Sequence, residues 1–378
     1  MTHSLNIVSF DVPFPANYGG VIDVYYKLFW LKRSGIKIHL HCFAYGRKPS
    51  KELEELCEKV YYYERKTGLS ANLSLDPYTV KSRQSKELEK NLLSNDFPIL
   101  FEVLHTCYLM DDSRFKNRRK IYRHSNIEHD YYSELSKTEK RFVKRMYLKV
   151  EAWKLEKFES ILKHADLILA VNQKDTDYFK TRYPAVKSVY LPSFHTNSEL
   201  TIRPGKGDYV LFHGNLAVSE NYEAAVWLIK NVFSKIEFPV VIGGLDPPDF
   251  LAALIEKYPN IKLRKSPNED EMTQLVRNAH IHVLCTAQPT GLKLKLVNVL
   301  FKGRFVICNE HMLSGTGLKG NEGLIVSNTE EQFIATINKY FYKEFAEEHS
   351  KMRSNQISHF DNALNAKKLI EEVFYELS

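Results

Sequence analysis

Lys293 and Lys295 stand two residues apart at the opening of a helical apolar run, Gly291–Phe301, just behind the turn Pro289-Thr290. Cations at a helix N-terminus oppose the helix dipole, so the pair makes chemical sense where an anion is to be held. Two ammonium groups beside free backbone N–H groups suit a diphosphate. An ordinary amphipathic helix with two exposed lysines is the competing reading. Asn298, three positions after Lys295, shares its helix face and suits a ribose hydroxyl. Two glycine elements offer further anion cradles, Gly19-Gly20 and Gly214-Asn215, each after a strand-like run and before a helical one. Neither is GxGxxG, so the dinucleotide fingerprint is absent. The small-residue turn Ser314–Leu318 is a candidate second wall for the same pocket.

A second group carries acid–base potential. Arg123-His124-Ser125-Asn126-Ile127-Glu128-His129-Asp130 follows a strand candidate. So many ionisable side chains at a strand end are hard to place in a core, although a lone histidine usually is structural. His124 and Glu128 could bind acceptor hydroxyls or act as a base, and Asp11 is the remaining carboxylate candidate. No Asp-x-Asp ends an apolar strand, so neither a metal nor any other cofactor is expected.

These residues need elements to position them. Asn6–Phe10, Lys37–Phe43, Val60–Tyr63, Pro98–Val103, Lys120–Arg123, Asp166–Asn172 and Val186–Leu191 read as strands. Between them lie helical stretches at Gly20–Ser34 and Lys51–Glu58, and one long helix over about Ser133–His164. Pro192–Gly207 is polar and aperiodic, and reads as a hinge. The pattern then restarts with strands at Tyr209–His213, Pro239–Gly243, Ile261–Arg264, Ile281–Cys285 and Arg304–Cys308, with helices between them. A last helix covers about Asn362–Leu377. Strand, crossover helix and strand in repetition imply two parallel, doubly wound α/β sheets, whose ligands sit at the strands' carboxyl ends.

With 378 residues, 44% apolar and 26% charged, the chain can fill two cores. A formal charge of +7 is mildly basic and excludes a nucleic-acid-binding extreme. Part of the excess lies in Lys137–Lys149, read either as a solvated helix face or as a surface for anionic lipid. Five scattered cysteines without metal-ligand spacing read as buried free thiols. MTHSLNIVSF enters a strand directly, and no run is long enough to span a bilayer. The expectation is a cytoplasmic protein, at most peripheral on the inner face of the membrane.

The order of parts resembles the GT-B glycosyltransferases, and especially the retaining family 4, group 1 type. The resemblance covers nearly the whole chain. It rests on "PFPANYGG", on "KLEKFESILKHADLILAVNQKDTDYF" (Lys154–Phe179), on "VLFHGNLAVSEN" and on "TGLKLKLVNVLFKGRFVIC". It implies two Rossmann-like domains facing an interdomain cleft: an acceptor-side domain over 1–200, a nucleotide-sugar-binding domain over 201–360, and a helix over 361–378 crossing back to the first. It implies sugar transfer from a nucleotide-diphosphate-sugar to a glycan or lipid-linked acceptor in surface polysaccharide or glycoconjugate synthesis, retaining and metal-independent. The donor would meet Gly19, Gly20, Gly214, Asn215, Thr290, Gly291, Lys293, Lys295 and Asn298. His105 matches a histidine such enzymes often place near the donor sugar. The chain also departs from the pattern. Thr290 and Asn298 stand where many relatives carry two glutamates, and Asn215 and Asn221 stand where an Arg and a Lys often neutralise the diphosphate. A nucleotide-sugar epimerase or hydrolase on the same fold, or a degenerate non-catalytic binder, are the alternatives.

Overall fold

The computed structural model describes residues 3–68, 74–288 and 292–374. Among them the chain divides into two compact units. One comprises residues 3–68, 74–196, 292 and 361–374, and the other 197–288 and 293–360.

The first unit is built on seven short apolar strands: β1 (Ser4–Ser9), β2 (Lys37–Ala44), β3 (Lys59–Glu64), β4 (Ile99–Glu102), β5 (Lys120–Arg123), β6 (Leu167–Ala170) and β7 (Lys187–Tyr190). All pair in parallel, in the order β3-β2-β1-β4-β5-β6-β7. Central strands such as Ile99–Glu102 are buried on both faces, which is why they read as continuous apolar runs rather than alternating ones. The helix Gly19–Arg33 buries Val21, Val24, Leu28 and Leu31 at helical spacing. The helix Asn362–Phe374 also belongs to this unit. Ala366, Leu369, Val373 and Phe374 share a core cluster with Leu5, Ile7, Val24 and Leu28. The two ends of the inserted stretch are tied together. The His195 N–H donates to Asn362 Oδ1 at 3.2 Å, and Asn362 Nδ2 donates to the His195 carbonyl at 2.7 Å.

The second unit repeats the plan with β8 (Val210–Asn215), β9 (Val240–Leu245), β10 (Ile261–Lys265), β11 (Ile281–Leu284), β12 (Phe305–Cys308) and β13 (Leu324–Val326), parallel throughout, in the order β10-β9-β8-β11-β12-β13. In each sheet the chain winds outward for three strands, then returns to the other side of the first. The direction of winding therefore reverses between β1 and β4, and again between β8 and β11. Such switch points leave a crevice at the carboxyl ends of the two central strands.

Two sequence expectations need correction. The long helix over Ser133–His164 is three pieces: Glu128–Thr138, Phe142–Phe158 and the tighter turn Glu159–His164. The break follows from Glu139, whose carboxylate accepts the Arg141 N–H at 3.0 Å and pairs with Lys144 at 2.8 Å, so a new helix starts there. Hydrogen bonds from Lys144 and Arg141 hold the Glu139 carboxyl low, at about 2. The Lys137–Lys149 cations therefore do not lie on one helix. The helix carrying Lys295 begins at Leu294, not Gly291. Beyond the expected elements lie β13 and the helices Glu330–Phe341 and Glu347–Gln356. The latter carries Arg353, buried and donating to the carbonyls of Leu300, Arg304 and Gly323 at 3.1, 3.1 and 2.7 Å. One of these, Leu300, lies in the last turn of Leu294–Lys302, where a cation complements the dipole and fixes the helix from its far end. All five cysteines are free and buried.

Candidate functional site

The switch point of the second unit gathers most of the expected anion-binding residues. Gly214 and Asn215 end β8, and the helix Ser219–Asn231 follows. Asn215 Oδ1 accepts the Ala217 N–H at 3.1 Å, and the Asn215 carbonyl accepts Asn221 Nδ2 at 2.9 Å, which folds the loop onto itself. Lys295 lies in the first turn of Leu294–Lys302 and reaches this loop, its Nζ donating to Asn221 Oδ1 at 2.9 Å. It also stands 5.8 Å from the centre of the Phe212 ring. Among the described residues no carboxylate lies within salt-bridge distance of Lys295. Burial lowers its pKa, while the field of Glu220 opposes that shift. A buried ammonium ion with one neutral partner is electrostatically incomplete, and an anion completes it.

Lys293 is the residue just before the helix, with no side chain capping the N-terminus. Its Nζ is 3.3 Å from Glu220 Oε1, and the Thr286 hydroxyl, beyond the end of β11, donates to the same oxygen. Glu220 was not anticipated; its place two residues into a helix after a glycine loop was the available signal. Asn298 sits one turn on from Lys295, and its Oδ1 is buried with no hydrogen-bond partner among the described residues. Such an acceptor suits an incoming hydroxyl. Thr290 and Gly291 lie outside the described residues. The Ser314–Leu318 turn closes on itself, Thr316 Oγ1 donating to the Leu313 carbonyl at 2.7 Å.

The loop's shape depends on a glycine the sequence reading had not singled out. A Cβ on Gly244, at the end of β9, would lie 2.0 Å from the Gly214 carbonyl oxygen and 2.7 Å from Leu216. Gly244→Ala is therefore expected to cost roughly 1–3 kcal/mol and to push the Gly214 loop aside. Thermal unfolding measures it, and a melting temperature equal to wild type would mean that the two strand ends move apart freely.

In the first unit the switch point is lined from β1 by Asp11 and Gly19-Gly20 and from β4 by His105. Asp11 accepts the Val12 N–H at 2.9 Å and the Tyr18 hydroxyl at 2.8 Å, and lies 3.6 Å from Arg47 Nε. Arg47 further donates to the carbonyls of Val12 and Pro15, at 3.0 and 2.8 Å, and so fixes the loop that leads into Gly19–Arg33. Gly20 makes room for Phe10, whose ring tip would be 2.7 Å from an added Cβ; the space around Gly19 is open. That helix begins without a side-chain cap and without an acidic residue in its first turn. Val103, a β-branched residue, is held at φ 58°, a conformation costing roughly 1–3 kcal/mol. The strain turns the chain sharply before His105, whose Nε2 lies 3.3 Å from Glu128 Oε2.

The dense run from Arg123 to Asp130 does not form one site. Glu128 goes to His105, while His129 Nδ1 goes to Glu159 at 3.3 Å. His124 lies inside the first unit. It is fully buried, edge-on to Phe179 with ring centroids 5.0 Å apart, and neither ring nitrogen has a hydrogen-bond partner among the described residues. Burial, with help from the Arg123 charge, pushes it down to about 3, so it is neutral beside Asp175, 3.5 Å away. Arg123 joins a buried network instead. It donates to Asp23 at 3.2 Å and to the carbonyls of Leu191 and Pro192 at 2.6 and 3.0 Å. Lys27 bridges Asp23 at 3.2 Å and Glu102 at 2.6 Å, and Asp23 accepts the Phe194 N–H at 2.6 Å. Burial pushes Asp23 up, but Arg123 and Lys27 outweigh it and hold the carboxyl low. Burial pushes Glu102 up, with Lys27 opposing. Among the described residues no group of three or more His, Cys, Asp or Glu side chains is arranged to hold a metal ion.

No family model matches the chain. An uncharacterized 44.6 kDa protein in the cps region of Klebsiella pneumoniae is 26% identical over 399 residues, covering 98% of each chain. Anabaena Alr3699/HepE, solved in complex with UDP and glucose, superposes with a TM-score of 0.63 at 11% identity, over 98% of this chain and 99% of that one. The α,α-trehalose 6-phosphate synthase of Burkholderia multivorans does so with a TM-score of 0.62 at 9% identity, over 100% and 99%. At these identities the likeness establishes the fold: the chain has the GT-B fold of these proteins, an α/β architecture of two parallel sheets.

Proposed function

We propose that the chain is a glycosyltransferase whose second unit holds a nucleoside-diphosphate sugar and which transfers the sugar to a glycan or lipid-linked acceptor. The observation that carries this reading is Lys295, a buried ammonium with Asn221 as its hydrogen-bond partner, set at a helix N-terminus beside the Gly214 loop. A departing diphosphate there gains two cations and free backbone N–H groups as its charge develops, which is electrostatic stabilisation without a metal. Lys293 would exchange part of its pairing with Glu220 for the phosphates, and Asn298 would take a ribose hydroxyl. Asn215 and Asn221 cannot supply charge, so the two lysines carry the neutralisation alone. The first unit's Asp11, His105 and Glu128 are the acceptor-side groups, with the His105–Glu128 pair suited to moving a proton. UDP and glucose in the Anabaena structure support a nucleotide-sugar donor, and the cps-region relative supports a place in capsule or other surface polysaccharide synthesis. Retention and metal independence belong to the same proposal.

Thermal-shift screening across UDP-, GDP-, CMP- and dTDP-sugars identifies the donor, because a ligand of the native state raises apparent stability by mass action. With that donor, Lys295→Ala is expected to weaken binding by about 1.5–3 kcal/mol, the scale of a hydrogen bond to a charged group. Titration calorimetry reads it directly. Affinity unchanged by the substitution would remove Lys295 from the site and with it the basis of the reading. Donor turnover that needs an acceptor marks a transferase; equal turnover without one marks a hydrolase.

A further inference from the structure

The helix Phe142–Phe158 has two apolar faces where a surface helix has one. Leu148, Glu151 and Leu155 are buried against the first unit. At 100° per residue, Phe142, Trp153, Met146, Val150, Val143 and Tyr147 fall, in that order, on an arc away from the buried side, with Lys157 and Lys154 standing among them. They are 66%, 50%, 43%, 46%, 81% and 39% exposed. Six large apolar side chains in one stripe are not the scattered exposure of an ordinary surface. Cations accompany the stripe: Arg145 and Lys149 flank its Phe142 edge and Lys157 lies within it. Lys140, Arg141, Lys144, Arg145, Lys149 and Lys157 stand on this helix or just before it, against Glu139 and Glu156 among the carboxylates that are not buried. Lys157 Nζ lies 3.8 Å from the centre of the Trp153 ring and the Arg145 guanidinium 5.6 Å from that of Phe142, as long basic side chains do when their stems cover an apolar face.

We infer that this helix is the docking surface of the protein on an anionic lipid bilayer, lying in the interface with its aromatic stripe at headgroup depth. Charge complementarity selects the occupant. An apolar arc edged and interspersed with cations matches acidic headgroups over acyl chains, whereas a second copy of the helix would bring like charges together. Among the described residues no helix is long and apolar enough to cross a membrane, so the contact is one of lying on the surface. The attraction needs both parts. Glu139 already pairs with Arg141 and Lys144, so the cations alone make a weak site, and the aromatic residues add the apolar transfer energy. The inference rests on this helix and not on sugar transfer, and its test needs no nucleotide.

Flotation of the intact protein with phosphatidylcholine vesicles, with and without phosphatidylglycerol, tests it. Binding is expected to the anionic vesicles, falling as salt is added. Phe142→Ser/Trp153→Ser is expected to lower the partition coefficient roughly tenfold or more, since two large apolar side chains no longer transfer. Lys144→Gln/Arg145→Gln/Lys149→Gln is expected to remove the preference for anionic over neutral lipid. Both variants alter residues on the outer side of the helix, and unfolding transitions at wild-type temperatures in calorimetry confirm that they fold. In a Trp30→Phe/Trp227→Phe background Trp153 is the sole tryptophan, and acyl-chain bromines are expected to quench it. Absence of flotation, flotation indifferent to Phe142 and Trp153, or no quenching overturns the inference. So does a lipid-free dimer that Phe142→Ser/Trp153→Ser splits, which would assign the stripe to a second copy.

Discussion

Arg123→Ala is expected to destabilise the first unit by about 3–5 kcal/mol, the cost of breaking a buried ion pair from one side. Asp23 would keep Lys27, but Lys27 is shared with Glu102, so two buried carboxylates would be left with one cation. The same substitution frees the carbonyls of Leu191 and Pro192, which Arg123 satisfies, and loosens the segment whose Phe194 N–H Asp23 holds. Against a typical domain stability of roughly 5–15 kcal/mol the loss is large enough to show as poor yield or early melting. Asp23→Asn/Arg123→Met, which removes both charges together, is expected to recover part of it, because the penalty lies in the uncompensated charge. Because the chain has two units, the measurement is the lower-melting transition in calorimetry rather than a single fitted value. A loss below about 1 kcal/mol would mean that water reaches the network and screens it.

Acid is expected to unfold the protein well above the usual carboxylate range. Four histidines are buried and held neutral, chiefly by desolvation: His41 and His124 at about 3, His213 at about 4, and His282 well below the ordinary value of 6.5. The unfolded chain takes up a proton on each near pH 6.5 and the folded chain does not, so the unfolded state binds more protons and stability falls with pH from about 6.5 to about 4. Each such histidine contributes at most about 1.4 kcal/mol per pH unit in that window. His129 acts in the opposite sense. Burial lowers it, but the hydrogen bond and charge of Glu159 raise it overall, so its contribution is full below 6.5 and is lost as pH rises. One such group does not offset four. Urea midpoints at pH 7, 6 and 5 test this, and His124→Gln is expected to flatten the slope by one proton whatever it does to the stability itself. Midpoints independent of pH would show that these rings are solvated.

The strands were legible because both sheets are parallel and covered, so each strand is a short unbroken apolar run between polar turns. The glycine loops and Lys295 were legible for a related reason: a parallel sheet sends every loop of one kind to the same edge. Density along the chain did not carry over into one cluster of side chains. Arg123, His124, Glu128 and His129 are near neighbours in sequence, but a strand end alternates its side chains and the helix from Glu128 turns each residue by about 100°, so four neighbours face four ways. The break at Glu139 contains neither Pro nor Gly; its signal is a carboxylate poised to accept N–H groups from the next turn. The helix Glu330–Phe341 had a readable start in Thr329 and Gln332, which form a reciprocal capping box. The strain at Val103 left no trace in composition, because valine is the last residue one expects at positive φ. Arg353 and Gly244 draw their meaning from backbone brought close by the fold, which no local pattern contains.

The first unit takes its last helix from the far end of the chain, and this sets an order of events during synthesis. The second unit, residues 197–288 and 293–360, is synthesised between the two main parts of the first and can fold as it emerges. The sheet begun at Ser4 must wait for Ala366, Leu369, Val373 and Phe374 before its outer apolar face is covered. Between residues 196 and 374, that wait is 178 residues, or roughly 10–40 s at ordinary elongation rates. For that time the nascent chain carries an open hydrophobic face, a substrate for chaperones and proteases. The unit started first is therefore finished last. A premature stop that removes only the final helix would release a chain whose other half is complete and whose first core has never closed.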